Sequence, residues 1–125
     1  MKALLLVAAS VALLYAGIDE SFSLAVGETV AVEGSDLSLS FVEVARDSRC
    51  PKDVNCIVAG EAVVVFVARV GGEDSELMFK VPPGGKDEQA FGGFTIAIVK
   101  LEPETNSTKK IDASDYVANV VVTGP

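Results

Sequence analysis

Short runs of alternating apolar and polar residues, separated by polar and glycine-rich turns, constrain the fold of this chain more than any other feature. Leu37, Leu39 and Phe41 alternate with serine and valine, and the same two-residue period returns in residues 76–81. Successive side chains of a β-strand point to opposite faces, so this period predicts strands that bury one face. After the first 18 residues no segment shows a convincing helical period.

About seven or eight such strands follow one another, at the spacing typical of a sandwich or barrel. The predicted strands are residues 22–26, 29–32, 37–42, 61–70, 76–81, 94–101 and 116–122. The segment 61–70 is predicted to be the longest. We therefore expect an all-β fold, a single antiparallel β-sandwich of the immunoglobulin-like kind, with a β-bulge at Val42 and Glu43 where the apolar period shifts.

The chain of 125 residues has the size of one domain. Its first 18 residues differ from the rest, because Lys2 precedes an apolar run that ends in small residues near Gly17. This arrangement predicts a secretory signal peptide over residues 1–18, followed by the sandwich domain over residues 19–125. A retained apolar anchor or assembly segment is the alternative. Either interpretation predicts an extracellular, periplasmic or cell-surface protein.

The two cysteines, Cys50 and Cys56, lie in a polar loop. Two cysteines of an exported chain are expected to pair, and closing so short a ring stabilises by about 2.4 kcal/mol in the chain-entropy model. A zinc site would need further ligands, and the chain contains no histidine. A redox-active pair usually has C-x-x-C spacing. We predict a structural disulfide, with metal binding and redox activity as the weaker alternatives.

The formal net charge of −8 disfavours nucleic acid as a partner, and we expect no membrane association beyond export or an N-terminal anchor. The absence of histidine excludes Ser-His-Asp and Cys-His catalytic arrangements. No pair of carboxylates stands out, and Asp47, Asp53, Asp112 and Asp115 lack the spacing of a calcium loop. We therefore predict no enzymatic activity, no cofactor and no metal site.

Two other features allow competing interpretations. Asn106, Ser107 and Thr108 form an N-glycosylation sequon in a polar loop, or simply a polar turn. The strand 61–70 is apolar on both faces, which leaves Val63, Val65 and Val67 opposite the predicted core side. They are either the covered outer face of a central strand or an interface with another subunit.

The loop motif resembles a group of small exported prokaryotic β-sandwich proteins of uncharacterised function. It runs Asp-Ser-Arg-Cys-Pro over residues 47–51, then Cys56, then Ala-Gly-Glu-Ala over residues 59–62, with an Asp-Tyr pair at residues 115–116. The resemblance covers most of the chain after the leader. Val58 departs from the pattern, which has tryptophan at that position.

The resemblance implies a secreted or surface sandwich and supplies no activity. Asp47, Arg49, Pro51, Gly60 and Glu61 are its motif residues in and beside the loop. Arg49 is expected to pair with Asp47 or Glu61 at the loop base, and Gly60 to let the loop pack closely on the strand.

These observations predict a non-enzymatic, secreted or cell-surface module for binding or interaction. Its partner would be another protein, or a second copy of the chain. The alternative is a structural subunit of an extracellular filament or surface assembly. In that case the N-terminal apolar segment or an edge strand would mediate the contacts.

Overall fold

The computed structural model describes residues 17–125, so the predicted leader lies almost entirely outside the described residues. Within them, the chain forms two four-stranded antiparallel sheets. The elements are β1 (Ile18–Ala25), β2 (Thr29–Ala31), β3 (Leu37–Asp47), β4 (Ala62–Val70), β5 (Glu73–Val81), β6 (Asp87–Phe91), β7 (Phe94–Glu102), a 3₁₀ turn (Ala113–Asp115) and β8 (Val117–Gly124). In residues 17–125 no helix is long and apolar enough to cross a membrane.

The strand order is β1-β8-β7-β6 in one sheet and β2-β3-β4-β5 in the other. Apart from the β1–β8 pair, every hydrogen-bonded neighbour in a sheet is also a neighbour along the chain. In an immunoglobulin domain, Greek-key connections instead place strands that are distant along the chain side by side within both sheets. The all-β, antiparallel two-sheet prediction is confirmed, whereas the immunoglobulin-like strand order is not.

The core lies between the two sheets and is built from the inward residues of each strand. In the β2-β3-β4-β5 sheet, Phe66 stacks on Phe41 with ring centroids 4.9 Å apart and meets the edge of Phe79 at 5.9 Å. The facing sheet contributes Ile98 and Val120, which are almost fully buried. Because these residues recur every second position, the alternating sequence pattern places them on one face of each strand.

Strand boundaries differ from the sequence prediction at several places. β1 begins at Ile18 rather than at residue 22, and the longest strand is β3, with 11 residues, rather than segment 61–70. The predicted bulge is confirmed by a register shift between Phe41 and Glu43, and a second shift lets β3 continue to Asp47. The polar strand β6 was not predicted, because an edge strand needs no apolar alternation.

The outer valines of β4 are largely covered by side chains of the neighbouring strands. Val63 lies between Arg46 of β3 and Lys80 of β5, and only 8% of it is exposed. Val65 is 4% exposed, and Val67 is half-buried. Val63 has a long charged residue on either side, and the aliphatic parts of such side chains commonly cover apolar neighbours. An interface at these three valines stays a prediction.

The alternating strand directions sort the connections into two ends. The connection 32–36 and the turns 71–72 and 92–93 lie at one end, and these two turns are as short as hairpins allow. The other end, which we call the disulfide end, carries the two long loops 48–61 and 103–116 and the shorter turns 26–28 and 82–86. Long loops on a rigid scaffold are where binding residues concentrate.

Candidate functional site

The disulfide end is organised around the bonded pair Cys50 and Cys56, whose Cα atoms are 5.9 Å apart. The predicted disulfide is therefore present. Below it, backbone hydrogen bonds hold the two sides of the loop together, from Ser48 N to Glu61 O at 2.9 Å and from Cys50 N to Ala59 O at 2.7 Å. The loop is thus fastened at its base by main-chain pairing and nearer its tip by the covalent bond.

Gly60 permits this close pairing, as the sequence predicted. Its φ of +73° is in the left-handed region, and a Cβ atom there would lie 1.8 Å from the carbonyl oxygen of Ser48. Only glycine satisfies both requirements, because it has no side chain and tolerates positive φ.

Arg49 lies beneath the loop and is only 6% exposed. Its guanidinium donates from Nε to Asp47 Oδ1 at 2.8 Å and from Nη2 to Asp47 Oδ2 at 2.7 Å. It also donates from Nη1 to the Leu101 carbonyl and from Nη2 to the Pro103 carbonyl, both at 3.0 Å. Arg49 therefore joins β3 of one sheet to β7 of the other.

Tyr116 completes this cluster by donating from Oη to Asp47 Oδ2 at 2.9 Å. Burial, together with the hydrogen bond to this carboxylate, raises the pKa of Tyr116 to about 12. Burial acts to raise the pKa of Asp47 as well, but the hydrogen bonds from Arg49 and Tyr116 outweigh it and lower the pKa below its usual value. The three side chains form a satisfied ionic cluster that closes this end of the core.

A second set of hydrogen bonds joins the disulfide loop to the loop 103–116. Thr105 accepts from Lys52 N at 3.0 Å through its carbonyl, and its hydroxyl donates to the carbonyl of Cys50 at 3.1 Å. Ser107 N donates to Asp53 Oδ1 at 3.0 Å, and its hydroxyl donates to the other carboxylate oxygen. Through these bonds Ser107 lowers the pKa of the exposed Asp53. Each long loop therefore braces the other.

The tip of this braced loop presents apolar side chains to solvent. Ile57 is 105% exposed, Val58 75% and Val54 44%. We call these three residues the apolar tip. Sequence analysis did not select them as site residues, although an apolar pair directly after Cys56, within a polar loop and outside any alternating run, was a visible signal.

A cleft of about 90 Å³ lies at the same end, between the disulfide loop and the turn 82–86. Pro82, Pro83 and Leu101 supply apolar side chains to its lining, and Glu104 is the carboxylate that residues 17–125 contribute to it. Thr105, which braces the disulfide loop, also lines it. The cleft and the apolar tip are thus carried by the same connected loops.

The remaining predicted site residues lie at or near this end. Pro51 turns the loop by accepting from Val54 N at 3.2 Å. Glu61 lies 3.9 Å from Arg46, and among residues 17–125 the carboxylate that pairs with Arg49 is that of Asp47. Asn106 sits in a tight turn, where its Oδ1 accepts from Thr108 N at 2.9 Å and from the Thr108 hydroxyl at 2.7 Å.

The acidic residues are dispersed. Across residues 17–125, no three Cys, Asp or Glu side chains lie close enough together to hold a metal ion. No protein-family model, curated protein or solved structure matches this chain.

Proposed function

We propose that this chain is a non-enzymatic, exported β-sandwich module that binds a protein partner through its disulfide end. The observation that carries the proposal is the apolar tip. Ile57 and Val58 are 105% and 75% exposed, although the loop that carries them is held by a disulfide and by hydrogen bonds. Burying such side chains against a partner removes apolar surface from water and stabilises the complex.

The rigidity of the loop supports binding. The disulfide, the Ser48–Glu61 pairing and the contacts of Thr105 all hold the loop in one arrangement. A preorganised loop loses little conformational entropy when it binds, so more of the contact energy appears as affinity. The adjacent cleft offers a place for a side chain of the partner beside the apolar tip.

The carboxylates at this end support a binding role over glycosidase chemistry. Asp47, the most enclosed of them, is occupied by Arg49 and Tyr116. Of the carboxylates in residues 17–125, Glu104 lines the cleft. A glycosidase needs a pair of carboxyl groups, one on each side of the bond that it cleaves.

Export is part of the proposal and rests on the leader-like sequence of residues 1–18 together with the disulfide. Cleavage near Gly17 would leave a chain that begins at β1, whose first residue, Ile18, pairs with Gly124. The intact mass of the protein from its own host tests this, because a retained leader would instead favour an anchored form.

A paired substitution tests the binding site. The double variant Ile57→Ser, Val58→Ser should keep the fold, since both side chains are exposed, and should lose a partner that the wild type captures from its own cell surface. Met78→Ser with Val42→Ser is the matched control, because these residues are also exposed, at 50% and 43%, but lie on strands. Equal capture by the tip variant and the wild type would refute a role for the apolar tip.

A structural subunit of a filament or surface assembly is our second proposal, and it is supported by the open outer edge of β1. Extended segments of other chains pair with such edges. Negative-stain microscopy of native material separates the two proposals. Filaments would favour the subunit, and single particles would favour the binding module.

A further inference from the structure

The two sheets have four edge strands, and three of them are protected. Asp87 of β6 accepts from Lys80 N of β5 at 2.8 Å, and the side-chain amide of Gln89 donates to the Met78 carbonyl. These bonds tie the edges of β5 and β6 to each other across the sandwich. The third edge strand, β2, is only three residues long. Short strands and covering side chains are common ways to keep an edge from pairing with another chain.

The outer edge of β1 is different. Val26 N donates to Tyr116 O at 3.3 Å and extends the register of β1 on β8, so the even-numbered residues of β1 bond to β8. The N–H and C=O groups of Asp19, Ser21 and Ser23 therefore point away from the sheet. Among residues 17–125, these backbone groups have no hydrogen-bond partner, and all three residues are exposed.

Further along, the edge is closed locally. Ala25 N donates to Glu28 Oε1 at 2.6 Å, and Glu28 N donates to the Ala25 carbonyl at 3.0 Å. The free stretch of edge thus ends at Ser23. Within β1 there is no proline, lysine, arginine or register shift, and its two charged residues, Asp19 and Glu20, lie near its start, so Ser21 to Ser23 carry none of these edge-protecting features.

We propose that β1 pairs in antiparallel register with β1 of a second copy of this chain, centred on Ser21. In that register Ser21 faces Ser21 of the second copy, and Asp19 faces Ser23. All three free residues of each strand then exchange main-chain hydrogen bonds with their counterparts. Glu20 faces Phe22, so no two like charges are directly opposed. The added strand would also cover Ile18 and Phe22, which are only half-buried at this edge.

The contact is the same patch on both subunits, so it closes as a two-fold dimer and consumes the open edge. The two four-stranded sheets join into one continuous sheet. Because β1 ends at the disulfide end and the two strands run antiparallel, the disulfide ends of the dimer lie on opposite sides. The inference does not depend on the proposed function of those ends, and it is an alternative to a filament that pairs through the same edge of β1.

Charged substitutions at Ser21, the centre of the contact, test the proposal. We use the full chain, with its N-terminus determined by mass, in sedimentation equilibrium. Ser21→Lys and Ser21→Glu each place like charges opposite one another across the two-fold axis, and each should raise the dimer dissociation constant about tenfold or more. An equimolar mixture of the two variants should restore the dimer. Ser114→Lys, the same substitution in the exposed 3₁₀ turn, should leave it unchanged.

Amide hydrogen exchange locates the contact. The Ser23 amide should exchange slowly in the wild-type dimer and rapidly in the Ser21→Lys variant. A wild-type chain that is monomeric at high concentration would overturn the proposal, as would a mixture that fails to dimerise. Slow exchange at Ser23 in a monomer would also overturn it, because another part of the same chain would then protect the edge.

Discussion

Arg49 shows why a buried charge is tolerated at this end of the core. Its side chain is 4% exposed and that of Asp47 is 10%, yet no buried polar side-chain atom among residues 17–125 lacks a hydrogen-bond partner. Taking two ions out of water is costly, and only complete pairing offsets that cost. In this cluster Arg49, Asp47 and Tyr116 satisfy one another, so no charge is left buried without a partner.

Removing one member of the cluster should leave a buried charge unpaired and so lower the stability of the fold. We expect Arg49→Met to lower the free energy of unfolding by about 3–5 kcal/mol, because Asp47 is left buried without its cation. Arg69→Met is the matched control, since the Arg69–Asp74 pair has side chains 60% and 49% exposed, and water screens such a pair, so its loss should cost much less. Chemical denaturation measures both. Equal losses would contradict the buried-pair argument, and adding Asp47→Leu to Arg49→Met should recover part of the loss.

The raised pKa of Tyr116 predicts a loss of stability at alkaline pH. Its pKa is about 12 in the folded protein against an ordinary value of 10, so the folded state holds this proton more tightly than the unfolded state. The contribution of Tyr116 to the free energy of unfolding should be constant below pH 10. It should then fall by roughly 2 kcal/mol as the pH rises toward 12.

The control for this titration is Tyr116→Phe, which should be less stable near neutral pH by about 1.5–3 kcal/mol, because a hydrogen bond to a charged carboxylate is lost. The variant should not show the wild-type decline between pH 10 and 12. Denaturation at several pH values checks both statements, and parallel declines in the two proteins would contradict the assignment to Tyr116.

At the scale of elements, the junction of the disulfide loop with β4 depends on Gly60. We expect Gly60→Ala to lower the free energy of unfolding by about 3 kcal/mol or more, because it combines a disfavoured φ with a steric clash against the Ser48 carbonyl. Gly72→Ala is the matched control, because Gly72 also has a positive φ, +86°, but a Cβ there meets nothing within 4 Å. The control should lose about 1 kcal/mol. Thermal melts of the two variants give the comparison, and equal losses would remove the steric part of the argument.

The motif residues of this region show how far sequence reasoning reached. Cys50, Cys56, Gly60 and Asp47 have the roles expected for them, because each role follows from covalent chemistry, backbone freedom or charge. The involvement of Tyr116 and of the Leu101 and Pro103 carbonyls was not predicted. These groups are far from Arg49 along the chain and come near it only because β7 and β8 lie in the facing sheet.

For the whole molecule, the aromatic cluster of the β2-β3-β4-β5 sheet carries a large share of the core. Phe66→Ala should lower the free energy of unfolding by about 3–5 kcal/mol, because Phe66 is fully buried and contacts two other rings. Val99→Ala is a control on a strand surface, where Val99 is 38% exposed, and should change stability by about 0.5 kcal/mol or less. Denaturation with urea measures both, and a loss of 1 kcal/mol or less for Phe66→Ala would mean that the cluster is dispensable.

The sequence by itself determined the local properties of this protein. The two-residue apolar period predicted the strands and the core face, the glycines predicted turns, and the cysteine pair predicted the disulfide. The change of period after Phe41 located the first bulge. These features depend on neighbouring residues in the chain, so a linear pattern contains them.

Only the tertiary structure decided which strands are neighbours and which edges are free. Many strand orders satisfy the same alternating pattern, so the sequence did not distinguish consecutive pairing from the immunoglobulin order. The protection of β5 by Asp87 and Gln89, and the open edge of β1, follow from that order. The apolar pair after Cys56 is visible in the sequence, but its exposure was decided only in three dimensions, because a short apolar run reads the same whether it is buried or exposed to solvent.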